Sequence, residues 1–175
     1  MEKKCRRVVT GFNKDGDSVV ISDTFVNNQM EKNSRPGVSL NNMWRTEVFP
    51  NDNSANIQEV DQTFTMFPES FETICRISSF EPEKSKTKDD FDSDAYFSDL
   101  NATDTLVKSK RHPFMHKSKS LDYAIILEGE ITLILDNEEV DLSQGDIVIQ
   151  RGTSHAWVNN SDKLARVCFI LMGAE

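Results

Sequence analysis

The sequence predicts an all-β domain, an antiparallel sandwich or barrel in which short strands follow one another through tight turns. The main observation is a dense series of strand-like runs after Leu121, interrupted by turn signals such as Gln144-Gly145-Asp146. A second observation is a pair of β-rich runs near the amino terminus, joined by the turn dipeptide Asp15-Gly16. No helix-rich segment competes with this interpretation, and 175 residues suit one domain with a sizeable core.

The first half of the chain is predicted to contribute strands that complete the barrel sheets. Residues 7–10 and 18–21 form the predicted hairpin, and residues 27–37 are predicted as a polar loop. A short strand is expected over residues 43–49, around Trp44. A further strand is expected over residues 73–80, and Pro82 is expected to end it.

Residues 87–107 form a strongly acidic segment, with six aspartates against one lysine in a chain of formal net charge −9. Asp92 is positioned to cap a short helix over residues 95–100. The spaced aspartates lack the glycine and the terminal glutamate that a calcium-binding loop needs at fixed offsets. We therefore interpret the segment as a solvated insertion or lid.

The last third of the chain is predicted to hold four strands, over residues 123–127, 131–135, 147–149 and 167–171. Both alternating faces of residues 123–127 are largely apolar, which predicts that this strand is buried on both sides. Cys75 and Cys168 lie in apolar strand-like runs and are predicted to be buried thiols. We divide this single domain into amino-terminal strands (1–81), an acidic insertion (82–110) and a barrel core (111–175).

Charge and composition argue against several classes of partner. The net charge of −9 disfavours binding to a nucleic-acid backbone, which needs clustered lysine and arginine. No apolar run is long enough for a membrane span, and the amino terminus lacks the apolar stretch of a secretory signal. The three cysteines are widely spaced and form no CxxC motif. These features lead us to expect a cytoplasmic, reducing location.

Two motifs in the carboxy-terminal third carry the functional prediction. The first runs from His112 to His116 and continues from Leu121 to Glu130; the second runs from Gly145 to Asn159. These segments resemble the conserved barrel of the cupin superfamily. Similar proteins carry two histidines one residue apart, then an acid and a glycine turn, and later a Gly-Asp turn that leads through Pro-x-Gly to a histidine and an asparagine.

The resemblance implies a cupin-type double-stranded β-helix, or jelly-roll barrel, with an amino-terminal β extension and an acidic loop insertion. It also implies metal ligands at His116, Asp122 and His155, one fewer than the three histidines and one glutamate of the family. Phe114 falls at the first histidine position, and Gln150 replaces the proline. Two histidines and one carboxylate suit non-haem iron or catalytic zinc. The implied cofactor is a divalent ion (Fe, Mn, Zn or Ni), with a metal-free protein as the alternative.

Each site residue also has a structural interpretation. His155 could be a core histidine, His116 a solvated loop histidine, and Asp122 a turn former that binds backbone amides. His112 could approach the missing ligand position from the side or lie exposed in a loop. Side chains two residues apart on a strand share a face, which adds further pocket residues. The predicted pocket residues are Phe114, Ala124, Ile126, Trp157 and Asn159. The candidate anchors for a substrate carboxylate, each with a surface position as the alternative, are Arg45, Arg76 and Arg151.

Two functions remain open from the sequence. The first is a metal-dependent enzyme acting on a small organic molecule, with Asp122 as a ligand or general base; similar proteins catalyse dioxygenation, decarboxylation, dehydration or isomerisation. The second is a non-catalytic or metal-free cupin that binds a small apolar ligand. An epimerase-type cupin is a weaker third option, since no histidine–aspartate pairing is evident. The resemblance also implies a homodimer, since similar proteins are commonly dimers and an exposed strand edge favours pairing between subunits.

Overall fold

Short runs rich in β-branched and aromatic residues form the strands of the computed structural model, which describes residues 4–27, 29–47, 63–84 and 86–174. The strands of the described residues are, in chain order, β1 (Arg6–Phe12), β2 (Ser18–Phe25), β3 (Gln29–Glu31), β4 (Val38–Thr46), β5 (Thr73–Phe80), β6 (His116–Lys117), β7 (Ser120–Glu128), β8 (Glu130–Leu135), β9 (Glu139–Ser143), β10 (Ile147–Arg151), β11 (Ser154–Val158) and β12 (Ala165–Gly173). Helix α1 spans Ser93–Asp99, and 3-10 turns cover Lys88–Asp90 and Thr103–Thr105. None of the described helices is long and apolar enough to cross a membrane.

Two antiparallel sheets enclose the core. The larger sheet has the strand order β10-β7-β12-β5-β4-β3, and the smaller has the order β6-β11-β8-β9. Apolar side chains from both sheets and from α1 meet in one buried cluster that includes Val38, Phe97, Ile126 and Trp157. The all-β barrel predicted from the spacing of strands and turns is therefore confirmed. The strand predicted over residues 73–80 has the same bounds as β5.

The amino-terminal hairpin also forms as predicted. β1 and β2 pair antiparallel and make a separate two-stranded sheet, so this hairpin does not complete the barrel sheets as we expected, because its hydrogen bonds run only between its own two strands. The side-chain oxygen of Asn13 closes the turn by accepting hydrogen bonds from the backbone N–H groups of Asp15 and Asp17. Gly16 adopts a φ of +86°, which explains the turn signal in the sequence.

The acidic segment was predicted as a solvated insertion or lid, and the solvated insertion is wrong, because one side of the segment belongs to the core. Asp92 caps α1 as expected, since its carboxylate accepts a hydrogen bond from the backbone N–H of Ala95. Tyr96 and Phe97 on this helix are buried and pack against the ring of Phe114. The six aspartates of the segment all face solvent. The segment is thus an amphipathic wall of the barrel.

Two further predictions in the first half need correction. The predicted loop at residues 27–37 contains the short strand β3, which forms because its backbone pairs with β4. β4 itself begins at Val38 and not at residue 43, because its first residues pair with both β3 and β5. Residues 48 and 49 of that predicted strand lie outside the described residues.

Strand β7 of the larger sheet has one buried face and one partly exposed face. Asp122, Ala124 and Ile126 are buried, whereas Tyr123 is 39% exposed and Leu127 is 37% exposed. The prediction that both faces of this strand are buried is therefore wrong. The physical reason is that only the inner face of the larger sheet packs against the smaller one.

The thiols of Cys75 and Cys168 are half-buried, so the prediction of buried thiols holds only in part. They lie on the neighbouring strands β5 and β12, with their sulfur atoms 4.0 Å apart. On β5 the inward positions alternate with half-buried ones, and Cys75 occupies one of the half-buried positions.

Gly129, in the turn between β7 and β8, gives the first test of this fold. It adopts a φ of +76°, and a Cβ at this position would collide with the carbonyl oxygen of Leu164. We expect Gly129→Ala to lower the free energy of unfolding by about 3 kcal/mol, measured by urea denaturation. Gly145→Ala is the matched control: its φ is +98° with no atom within 4 Å of the added Cβ, and we expect a loss of about 1 kcal/mol. Equal losses in the two variants would contradict the close approach at Gly129.

Candidate active site in the barrel cavity

A small cavity of about 70 Å³ lies between the two sheets. Its apolar wall includes Tyr96 from α1, Trp157 from β11 and Phe169 from β12. Its polar lining residues are Arg35, Arg76, Ser78, His116, Asp122 and His155. The cavity therefore gathers all three of the metal ligands predicted from the sequence along its wall.

His116 and His155 form a close pair on the smaller sheet. They stand directly opposite each other in the register of β6 and β11, and their ring centroids are 4.4 Å apart. Residues opposite each other in an antiparallel pair point to the same face. This register thus explains how two distant histidines come together inside the barrel.

The same backbone interaction orients both rings. Nδ1 of His116 lies 3.0 Å from the carbonyl oxygen of Phe114, and Nδ1 of His155 lies 2.8 Å from that of Thr153. A carbonyl oxygen can only accept, so Nδ1 of each neutral ring carries the proton. Nε2 of each ring is left as an unprotonated lone pair. Metal-binding histidines commonly have this arrangement, in which the second nitrogen is held by a backbone carbonyl.

Burial keeps both imidazoles neutral. It lowers the pKa of His116 well below 6.5, and the neighbouring His155 lowers it further. Burial likewise lowers the pKa of His155 to about 4. The Arg35 charge acts in the same direction on both rings. At neutral pH, therefore, both histidines have a lone pair available as a donor to an electrophile or a cation.

Asp122 lies across the cavity on β7. Its carboxyl group is buried, and Oδ1 has no hydrogen-bond partner. Burial raises the pKa of Asp122 to about 6, while the positive charge of Arg76 acts in the opposite direction. Within the described residues, no three His, Cys, Asp or Glu side chains lie close enough together to hold a metal ion. Asp122 therefore shares the cavity with the histidine pair without forming a compact three-ligand cluster.

The predicted pocket residues separate into two groups. Trp157 lines the cavity, whereas the structure places Phe114, Ala124, Ile126 and Asn159 in the packed interior and not among the lining residues. The Asn159 amide donates to the carbonyl oxygens of Phe80 and Lys163, and its oxygen accepts from Ser161. Side-chain alternation therefore predicted that these residues are buried, but not whether they reach the cavity. Neighbouring side chains fill the space between them and the cavity.

His112 also lies away from the cavity lining. Its Nε2 is 3.3 Å from a carboxylate oxygen of Glu83, and both side chains are nearly buried. The backbone N–H of Phe114 is directed at His112 Nδ1. The ring therefore pairs with Glu83 beside the turn and does not occupy the missing ligand position.

The three arginines proposed as anchors differ in their roles. Arg76 lines the cavity, but its three donor nitrogens bind Asn42 and the backbone carbonyls of Thr65 and Met66. Arg45 binds Thr65 and lies 3.7 Å from Glu72. Arg151 is exposed. None of these three arginines is therefore positioned to bind a substrate carboxylate inside the cavity with unused donors.

Sequence reasoning missed Arg35 and Tyr96 as cavity residues. Arg35 belongs to the predicted loop before Gly37, and Tyr96 belongs to the segment that was interpreted as solvated. A local signal for Tyr96 existed in the Asp92 cap, which places the aromatic residues of α1 on one side. Nothing local distinguished Arg35 from a surface arginine, because its burial depends on packing against α1 and β5.

Comparisons with known proteins support the fold of this region. Residues 106–171 match the family model described as the cupin domain. Phomopsin biosynthesis cluster protein C' of Diaporthe leptostromiformis is 43% identical over 63 residues, which cover 35% of this chain and 33% of that protein. The match thus spans about a third of the length of that relative. A cupin-domain-containing oxidoreductase of Neurospora crassa is 28% identical over 175 residues, covering 97% of this chain and 75% of that protein.

The similar solved structures are more distant in sequence than these relatives. The EutQ protein of Clostridium difficile is 10% identical, with a TM-score of 0.44 over 96% of each chain. A cupin superfamily protein of Desulfitobacterium hafniense is 14% identical, with a TM-score of 0.37 over 57% of this chain and 66% of that one.

The lowered histidine pKa values predict how stability depends on pH. A histidine whose pKa falls from 6.5 to about 4 on folding stabilises the native state above pH 6.5, and this contribution is lost as the pH falls towards 4. For His155 the loss between pH 7.5 and 5 is about 2 kcal/mol. We expect His155→Asn, which keeps a donor for the Thr153 carbonyl, to lose less free energy of unfolding than the wild type over this range. Urea denaturation of chelator-treated protein at the two pH values measures the difference, and identical losses would contradict the burial of a neutral His155.

Proposed function

We propose that the barrel cavity of this chain, whose residues 106–171 match the cupin domain model, is the active site of a divalent-metal-dependent enzyme acting on a small organic molecule. The His116–His155 pair carries the proposal, because both rings are neutral and held by their Nδ1 protons. A relative that aligns over 97% of this chain is named a cupin-domain-containing oxidoreductase, which supports an enzymatic role.

The donor set fits a metal ion held by two histidines. Nε2 of His116 and Nε2 of His155 would bind it, and the Asp122 carboxylate would approach as a third donor or stay free on the opposite wall. A divalent ion bound here would supply Lewis acidity to a substrate carbonyl, water or dioxygen. The carbonyls of Phe114 and Thr153 would then hold the rings in a fixed orientation, which maintains ligand geometry.

Asp122 would handle the proton. With a pKa of about 6 the carboxylate is ionised at neutral pH yet basic enough to accept a proton at its unpartnered Oδ1. Arg76 beside it would limit how far burial raises this pKa. The small buried cavity would exclude bulk water around the reacting atoms, which strengthens electrostatic interactions there.

Phe114 favours the alternative of a metal-free binding barrel. This residue occupies the first histidine position of the motif, and its side chain is fully buried in the core. With one ligand position lost in this way, the cavity would bind a small molecule through its aromatic wall and its polar groups without metal chemistry.

Metal binding by tag-free protein separates these functions. After chelator treatment and addition of one divalent transition metal at a time, we expect about one bound equivalent by elemental analysis. Replacing His116 or His155 by Asn keeps the Nδ1-type donor and removes Nε2, so either change should abolish binding. Cobalt(II) absorption provides a second readout of nitrogen ligation.

His112→Asn is the matched control, because it removes the one remaining histidine, which lies outside the cavity lining. It should bind metal as the wild type does. A wild-type protein that binds no metal, or a His116→Asn/His155→Asn double variant that binds as much as the wild type, would overturn the metal-dependent proposal and favour the metal-free barrel.

A homodimer in the cytoplasm completes the proposal. The outer face of the larger sheet exposes apolar side chains at its β10 edge, where Ile147 is 60% and Ile149 50% exposed, next to Tyr123 and Leu127. An apolar patch on an open strand edge favours a second copy as its cover. The three cysteines are free thiols, which supports a reducing compartment.

Light scattering after size exclusion tests the dimer. We expect the wild type to have about twice the mass of one chain, and Ile147→Asp/Ile149→Asp to shift it towards the monomer, because burying two unpaired carboxylates in an interface is costly. Val140→Asp, at an exposed apolar position on the smaller sheet, is the control and should leave the mass unchanged. A monomeric wild type would contradict this assignment.

A further inference from the structure

Arg35 is a buried cation in the cavity without an acidic partner. Its side chain lines the cavity, and the residue is only 6% exposed. Among the described residues, no carboxylate forms an ion pair with it. Burying an unpaired charge is unfavourable, so a native protein normally retains one for a bound counter-charge or another specific role.

The hydrogen bonds of Arg35 leave most of its donors unused. Nη2 donates to the backbone carbonyl of Trp157 at 2.9 Å, whereas the buried Nε has no acceptor. A guanidinium carries five N–H donors in a planar fork. Arg76, the other arginine of the cavity, contrasts with this because its Nε, Nη1 and Nη2 all bind protein oxygens. Arg76 therefore holds protein together, while Arg35 keeps free donors beside the cavity.

Aromatic rings lie against the Arg35 guanidinium. Its central carbon lies 4.2 Å from the ring centroid of Phe114 and 5.6 Å from that of Tyr96. These cation–π contacts offset part of the cost of burying the charge without using its N–H donors. A planar edge with parallel N–H groups matches the two oxygens of a carboxylate.

The contacts of Arg35 place this anchor at the histidine end. Its guanidinium lies over the ring of Phe114, whose carbonyl accepts from His116 Nδ1, and its Nη2 donates to the carbonyl of Trp157, two residues after His155 on β11. The lining residues carry two cations and one carboxylate, an excess of positive charge that a single anion would balance. A carboxylate held at Arg35 would have its neighbouring carbon atoms near the imidazoles.

We propose that Arg35 anchors the carboxylate of the ligand, so that the cavity takes short-chain organic acids. This inference deepens the proposed function. Binding of the acid does not depend on that function, whereas the role of the acid as a substrate rests on it. The cavity of about 70 Å³ has room for roughly five water-sized positions, at 10–15 Å³ each. An acid of about six non-hydrogen atoms, such as pyruvate, is therefore the appropriate probe.

Calorimetric titration of chelator-treated, metal-free protein with pyruvate tests the anchor. We expect saturable binding, and binding at least about tenfold weaker for pyruvamide, which has the same shape without the charge. Arg35→Met should weaken pyruvate binding by a similar factor, and Arg35→Lys should weaken it less, because it keeps the charge and loses the planar fork. The indole N–H resonance of Trp157, a lining residue, reports whether pyruvate binds in this cavity.

Arg151→Met is the matched control, because it removes an exposed arginine outside the cavity and should leave pyruvate binding unchanged. If Arg35→Met does not fold, two comparisons still test the anchor. One compares pyruvate with pyruvamide, and the other compares the wild type with Arg35→Lys. Equal binding of both probes, wild-type affinity in a folded Arg35→Met, or no pyruvate binding at millimolar concentration would overturn the inference.

The two proposals fail in different ways. Pyruvate binding that requires metal and ignores Arg35 would overturn the anchor and leave the metal-dependent function intact. If pyruvate binding depends on Arg35 and the histidines hold no metal, the anchor stands and the metal-dependent function is overturned.

Discussion

The packing of the Phe114 ring is the constraint on which both sides of the site depend. The ring is fully buried and contacts Tyr96 and Phe97 of the acidic segment. One of its faces supports the Arg35 guanidinium, and its backbone carbonyl fixes the proton of His116 on Nδ1. Phe114 stands at the motif position where similar proteins have a histidine ligand. Here its ring packs against the Arg35 cation, and its carbonyl orients the neutral His116 ring.

The chemistry of the cavity follows from the cost of burying charge. Two histidines are kept neutral by burial, one carboxyl group has its pKa raised to about 6, and two guanidiniums line the same cavity. The charge of Arg76 is stabilised by hydrogen bonds to protein oxygens. The charge of Arg35 is stabilised mainly by contact with aromatic rings. A folded state that keeps unsatisfied donors and an unpartnered carboxylate oxygen gives up some stability, as is usual for sites that bind polar ligands.

The two faces of the larger sheet have different roles. Its inner face contributes Asp122, Arg76 and Phe169 to the cavity. Its outer face carries the neighbouring thiols Cys75 and Cys168 and an exposed apolar edge. Since side chains alternate along each strand, a single stretch such as β7 supplies both the candidate proton acceptor and part of the apolar surface that we propose for dimerisation.

The sequence by itself determined the all-β class, strands such as β5, the turn at Asp15-Gly16 and the Asp92 cap, because these depend on short-range patterns of backbone preference and side-chain alternation. The three candidate ligands came from the resemblance of two motifs to the cupin superfamily. Only the tertiary structure decided that His116 stands opposite His155, that Arg35 enters the cavity, and that Asn159 is consumed in a turn. Strand register and the space left between packed side chains depend on contacts between residues far apart in the chain. Local patterns do not encode those distances, and for this reason the fold was predictable whereas the shape and charge of the site were not.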